Sequence, residues 1–115
     1  MLQMTKAQMQ VLSQQVRNEG NRRIANYVGT RFPQAFNGYD EERKMVVIER
    51  MRSAAAVFGL QRDDHIGTYI DLFLMYGPNF DLQAWAAPIL GDTRISPQAK
   101  ILALKRRVRA SGVEI

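Results

Sequence analysis

One apolar stretch, DDHIGTYIDLFLMYGPNFD at residues 63–81, constrains the fold of this chain more than any other part of the sequence. Its apolar residues recur at intervals of three and four, which is the spacing of one helical face: Ile66, Ile70, Phe73 and Leu74. Further apolar side chains widen that face: Tyr69, Leu72 and Tyr76. A helix that is apolar on most sides usually lies at the centre of its domain. The sequence therefore predicts a central apolar helix at about 63–76.

Both ends of this predicted helix carry boundary signals. Asp63 or Asp64 is expected to cap the first turn, because a short carboxylate accepts hydrogen bonds from free backbone N–H groups. Gly77 followed by Pro78 predicts the end of the helix.

The rest of the chain shows the same helical period and no strand-like alternation. We predict an all-α fold, a compact bundle of four to five helices, at about 5–31, 40–58, 63–76, 83–90 and 97–110. Residues 1–115 are expected to form a single helical domain, with the first few residues and 111–115 frayed. Phe73 and Trp85 are expected in its core.

Local signals mark the other helix boundaries. Thr5 and Gln8 fit a capping box, and Ser96 before Pro97 is typical of a helix start. Gly59 is expected in the left-handed conformation that ends many helices.

Composition limits the classes of protein to consider. A chain of 115 residues suits one domain, and the absence of cysteine excludes disulfides and thiol chemistry. No apolar run approaches the roughly 18 residues needed to span a bilayer, and the N-terminus lacks a signal-peptide pattern. We therefore expect a soluble, cytoplasmic protein with no membrane span.

The net charge of +5 is unevenly distributed along the chain. Residues 1–39 carry +4, residues 40–77 carry −2 and residues 78–115 carry +3. Basic ends around an acidic middle favour either internal charge complementarity or two basic faces for an acidic partner.

Three polar residues stand out in or beside the apolar stretch: His65, Asp71 and Asp81. A charge among apolar residues is costly unless it is paired, so Asp71 is either partly exposed, bonded to an arginine or a helix N-terminus, or a functional carboxylate. A lone histidine near a helix start is usually structural or solvent-facing, and without cysteine it makes no metal site.

No assembled set of catalytic residues is visible in the sequence. Asp63 with Asp64 and Asp71 with Asp81 are conceivable acid–base pairs, but the first looks like a cap and the second brackets a turn. No activated nucleophile or phosphate-binding loop is present. We predict that the protein is not an enzyme and has no catalytic residues, cofactor or metal.

Two binding functions remain. The run LKRRVR at 104–109 could contact nucleic-acid phosphates, but the second helix of the expected hairpin at 40–76 is too apolar to read DNA. Basic residues at a helix end also complement the helix dipole. We favour a protein partner, with these candidate contacts: Met9, Lys105, Arg106, Arg107 and Arg109. Methionine-rich surfaces are adaptable, and Met1 and Met4 precede Met9.

The second half of the chain resembles a family of small proteobacterial helical proteins encoded near type VI secretion and polymorphic-toxin genes. The resemblance covers roughly residues 45–105. Its motifs are ERMRSAAAVFGL at 49–60, HIGTYIDLFLMYGPNFD at 65–81, Trp85-Ala86, Ile89-Leu90-Gly91-Asp92 and SPQAKILAL at 96–104. It implies an accessory, adaptor or chaperone-like protein for a secreted effector or spike, or an immunity protein that neutralises a toxin. It brings no functional residues with it.

Overall fold

The computed structural model describes residues 5–113 and 115, and every regular element in them is helical. The five α-helices are α1 (Lys6–Arg31), α2 (Glu41–Ala56), α3 (Asp63–Tyr76), α4 (Ala87–Leu90) and α5 (Pro97–Ala110). One 3-10 turn, Phe80–Leu82, lies between α3 and α4. The predicted all-α fold is confirmed. The helix expected at 83–90 is shorter than predicted, because residues 83–86 form turns before α4 begins.

Capping side chains begin three of these helices where the sequence indicated. The backbone N–H of Thr5 donates to Gln8 Oε1 at 2.8 Å and Thr5 Oγ1 accepts from the Gln8 N–H at 3.1 Å, which completes a capping box. Asp40 Oδ1 accepts from the Arg43 N–H at 2.8 Å, and Ser96 caps α5.

The start of α3 differs from the prediction. Its N-cap residue is Arg62, whose side chain makes no capping hydrogen bond, and Asp63 and Asp64 lie inside the first turn. There the guanidinium of Arg62 contacts Asp64 at 2.8 Å, and that of Arg52 contacts Asp63 at 3.1 Å. Asp64 Oδ1 also accepts from the His65 N–H at 3.0 Å, so a carboxylate bonds a free N–H of the first turn as predicted, but from inside the helix and not from the N-cap position.

Backbone contacts divide the chain into two units, Met1–Glu49 and Arg50–Ile115, with the boundary inside α2. The single-domain organisation stays a prediction. In the first unit the buried residues lie in the second half of α1 and in α2: Gly20, Asn21, Ile24, Ala25, Val28 and Ile48. Residues 6–17 of α1 are all exposed. Residues 1–4 and 114 lie outside the described residues, and with them Met1, Met4 and part of the ends predicted to fray.

In the second unit α3 packs against α5 and the 3-10 turn, which also contacts α4. Residues 65–72 of α3 are all buried, as expected for a central helix. The Tyr69 and Phe80 rings meet edge to face with centroids 5.0 Å apart, and Phe80 is completely buried.

Two residues expected in this core lie at its margin. Phe73 and Trp85 are only half-buried, and Leu74 is 39% exposed. The burial of α3 ends at Leu72, so its last turn leaves the core although the helical period continues. Phe80, from the turn that follows, fills the core as the largest of its fully buried side chains.

A buried lysine joins three elements of the second unit. Lys100 of α5 is 6% exposed, and its ammonium donates to the carbonyl oxygens of Leu90 at 2.7 Å and Phe58 at 2.9 Å. Leu90 ends α4 and Phe58 follows α2. Since backbone carbonyls at helix ends lack intrahelical partners, one cation there satisfies two of them.

Candidate functional site

His65 is a buried structural residue of α3. Its side chain is 2% exposed, and Nε2 lies 2.8 Å from Oε1 of Gln98 in the first turn of α5. The second ring nitrogen, Nδ1, is buried and has no hydrogen bond within the described residues. His65 links α3 to α5 and has no exposed surface for a substrate.

Asp71 is completely buried in α3, so the expectation of partial exposure is wrong. The carboxylate has at least one polar interaction. An enclosed carboxylate cannot meet a ligand in solvent, which supports the structural interpretation among those that the sequence left open.

Asp81 positions a tyrosine. The Tyr69 hydroxyl donates to Asp81 Oδ2 at 2.9 Å. Burial raises the pKa of Tyr69 far above its ordinary value of 10.0, and the bond to the Asp81 carboxylate raises it further.

Arg62 and Asp64, at the start of α3, form an exposed ion pair. Burial alone would raise the pKa of Asp64, but the nearby His65 and the hydrogen-bonded guanidinium of Arg62 bring it below its ordinary value.

Among residues 5–113 and 115, no three acidic or histidine side chains are grouped so that they could hold a metal ion. None of the helices in that part of the chain combines the length and hydropathy needed to cross a bilayer.

Met9 belongs to a row of exposed aliphatic side chains on α1. Met9 is 55% exposed, Leu12 48% and Val16 59%, and the three stand at positions i, i+3 and i+7. We call these three residues the α1 stripe. Val11, 60% exposed, lies roughly 140° around the helix axis from Val16, on another side.

The four basic candidate residues on α5 differ in their exposure and in their hydrogen bonds. Arg106 and Arg107 are exposed, Lys105 is half-buried, and Arg109 donates to the carbonyl oxygen of Ile115 at 3.0 Å. In the described part of the chain, no carboxylate side chain lies within ion-pair distance of Lys105, Arg106 or Arg107. The structure therefore leaves Arg106, Arg107 and Arg109 exposed, with one N–H group of Arg109 already bonded.

A cleft of about 320 Å³ brings Arg107 together with two aromatic residues. Among the described residues it is lined by Tyr76, Trp85, Arg107, Val108, Ala110 and Ser111. The Trp85 ring meets Tyr76 at a centroid distance of 5.1 Å and an angle of 62°, and lies 6.3 Å from the buried Phe80.

Sequence reasoning assigned Trp85 to the core and so missed this cleft. The available signal was the amphipathic character of tryptophan and tyrosine, whose polar ends favour half-buried positions. Periodicity could not show that the end of α3, the segment before α4 and the end of α5 meet at one place. No family model, curated protein or solved structure matches this chain.

Proposed function

We propose that this protein is a non-catalytic protein-interaction module whose α1 stripe inserts into an apolar groove of a partner protein. The observation that carries the proposal is the exposure of Met9, Leu12 and Val16 at positions i, i+3 and i+7. Those spacings are the anchor positions of an amphipathic helix bound in a groove.

The helix that presents the stripe is already formed. The capping box at Thr5 and Gln8 satisfies N–H groups of its first turn, and Gln14 Nε2 donates to Asn18 Oδ1 at 3.0 Å along its surface. A helix ordered before binding loses less conformational entropy when it binds, which favours affinity.

The size and charge of this surface favour a different protein over a second copy. Stable interfaces bury roughly 1,200–2,000 Å² in total, far more than three half-exposed aliphatic side chains per chain can contribute. Two copies, each with a net charge of +5, would also repel each other. A partner groove that encloses the helix also buries the sides of α1 that flank the stripe, and so adds the missing area.

The biological context of the proposal comes from the resemblance to proteins encoded near type VI secretion genes. On that basis the module is an accessory, adaptor or chaperone-like protein for a secreted effector or spike component. An immunity protein is the alternative within the same context. Co-expression with the captured effector separates the two, because an immunity protein restores growth of a cell poisoned by the toxin and an adaptor does not.

Two valines of α1 provide a matched test of this function. Val16 lies in the stripe and Val11 outside it, yet their exposures are 59% and 60%. A partner is first captured from the native organism and purified, and its affinity is then measured by calorimetry for the parent, Val16→Gln and Val11→Gln. We expect Val16→Gln to weaken binding about tenfold or more, since burying a valine contributes roughly 1.5–3 kcal/mol and about 1.4 kcal/mol corresponds to a factor of ten.

Val11→Gln should bind as the parent does. Equal affinities of the two variants would remove the stripe from the interface. A dimer that Val16→Gln dissociates, seen by light scattering, would show that the stripe pairs with a second copy. Turnover of a small substrate without a protein partner would overturn the non-catalytic proposal altogether.

A further inference from the structure

We propose that the cleft lined by Tyr76, Trp85 and Arg107 binds a short acidic peptide segment of a partner protein. An apolar side chain of the peptide packs on Trp85, and a neighbouring carboxylate bonds to Arg107. This site is independent of the α1 stripe, because no residue of α1 is among its described lining residues. The variants that test it also leave α1 unchanged.

The volume of the cleft limits the ligand. Small-molecule and cofactor sites usually span about 300–1,000 Å³. At about 320 Å³ this cleft lies at the lower limit of that range and is open to solvent. It accommodates one peptide side chain with its adjoining backbone and is too small for a dinucleotide.

The apolar wall of the cleft is fixed in place. The indole N–H of Trp85 donates to Gln83 Oε1 at 2.7 Å, so its polar group is already bonded and its orientation is set. On the other side of the cleft, Val108 of α5 is 2% exposed and packs in the core. Aromatic rings held in this way offer contact area at a low cost in conformational entropy.

Two polar groups of the lining have no bond within the described residues and can serve a ligand. They are the Arg107 guanidinium and the Tyr76 hydroxyl. The Ser111 hydroxyl, in contrast, donates to the Val108 carbonyl at 2.6 Å. A guanidinium binds carboxylates through two parallel hydrogen bonds and repels cations, so the aromatic pair does not act as a cage for an ammonium group.

Charge complementarity selects an acidic partner. Arg106 and Arg107 are exposed, and residues 78–115 carry a net charge of +3. A nucleic acid would match the sign of this charge, but binding it takes a basic groove that follows several phosphates. A cleft of side-chain size, with Arg107 as the one arginine among its described lining residues, fits a peptide better.

Binding is measured by the fluorescence of Trp85, because it is the only tryptophan of the chain and lines the cleft. The probe is a capped peptide in which one leucine is flanked by aspartates, and the control peptide has asparagines in place of the aspartates. We expect a saturable change of tryptophan fluorescence with the aspartate peptide only. Shifts of the Trp85 indole N–H signal in NMR spectra report the same binding independently of fluorescence.

Neighbouring arginines of α5 provide the matched variants. Arg107→Ala should weaken binding of the aspartate peptide about tenfold, the loss expected for a charge-assisted hydrogen bond in a partly open site. Arg107→Lys should fall between the parent and Arg107→Ala, because it keeps the charge and loses the bidentate geometry. Arg106→Ala should bind within about twofold of the parent at physiological salt, where exposed charges are screened.

Three results would overturn the proposal. The first is the absence of any Trp85 response, by fluorescence or NMR, up to millimolar aspartate peptide. The second is equal binding of the aspartate and asparagine peptides. The third is tighter binding of a single-stranded oligonucleotide that Arg106→Ala and Arg107→Ala weaken equally, which would make α5 a nucleic-acid surface.

Discussion

At the scale of single residues, several polar groups in the second unit are enclosed and bonded. Lys100 holds two carbonyls at helix ends, His65 bonds to Gln98, and Tyr69 donates to Asp81. A buried polar group that loses its partner destabilises the fold by roughly 1–3 kcal/mol. Lys100 and His65 therefore fix the first turn of α5 against α4 and α3.

The Tyr69–Asp81 bond predicts a pH-dependent effect of Tyr69→Phe. Near neutral pH the variant should be less stable than the parent by about 1 kcal/mol, because it loses one hydrogen bond. Folding raises the pKa of Tyr69 above the ordinary 10.0 that the unfolded chain retains. Below pH 10 the tyrosine is protonated in both states, and its contribution to stability is complete.

Above pH 10 the unfolded state loses the Tyr69 proton while the folded state keeps it, so the contribution falls by up to about 1.4 kcal/mol per pH unit. Phenylalanine does not titrate, so the stability gap between parent and variant should narrow and then reverse at about pH 11. Urea unfolding of both proteins at neutral and alkaline pH measures the gap. A gap that stays constant with pH would contradict the raised pKa of Tyr69.

At the scale of elements, local backbone chemistry sets where the helices end. Gly59 has φ +80° and its N–H donates to the Ala56 carbonyl at 3.0 Å, which turns the chain from α2 towards α3. Leu60, whose N–H donates to the Ala55 carbonyl at 3.2 Å, is fully buried directly after it. Glycine is required there because a side chain disfavours a positive φ.

Two glycines should therefore respond in opposite directions to the same substitution. Gly59→Ala should destabilise the protein by about 1–2 kcal/mol, the cost of a left-handed residue with a side chain. Gly29 lies inside α1 with no neighbouring atom within 4 Å of an added methyl group, so Gly29→Ala should stabilise by roughly 0.5–1 kcal/mol. Unfolding midpoints in urea compare the two, and shifts of the same sign would refute this account.

At the scale of the whole molecule, the division into two units falls within a helix. The boundary between Glu49 and Arg50 lies in α2, whose hydrogen-bonded backbone runs from Glu41 to Ala56. Domain boundaries usually lie in exposed linkers rich in proline, glycine or polar residues, and a continuous helix is not such a linker.

We therefore expect the two units to unfold together, as a single domain does. Trp85 fluorescence reports on the second unit, whereas far-UV circular dichroism reports on helices of both. The two probes should give the same urea midpoint and slope, since coincident transitions indicate two-state unfolding. A fluorescence transition that is separate from the loss of helix would instead establish two domains.

The sequence by itself determined the helices, because the signals that begin and end them act over a few residues: the capping box at Thr5, the serine and proline before α5, and Gly59. Periodicity also identified α3 as the most buried helix. What only the tertiary structure decided was which apolar residues are covered. Periodicity places a side chain on one face of a helix. Whether that side chain is buried depends on whether another part of the chain packs against that face at the same position along the helix axis. Phe80 therefore fills the core in place of Phe73, the α1 stripe remains exposed, and Trp85 meets Arg107 at a cleft.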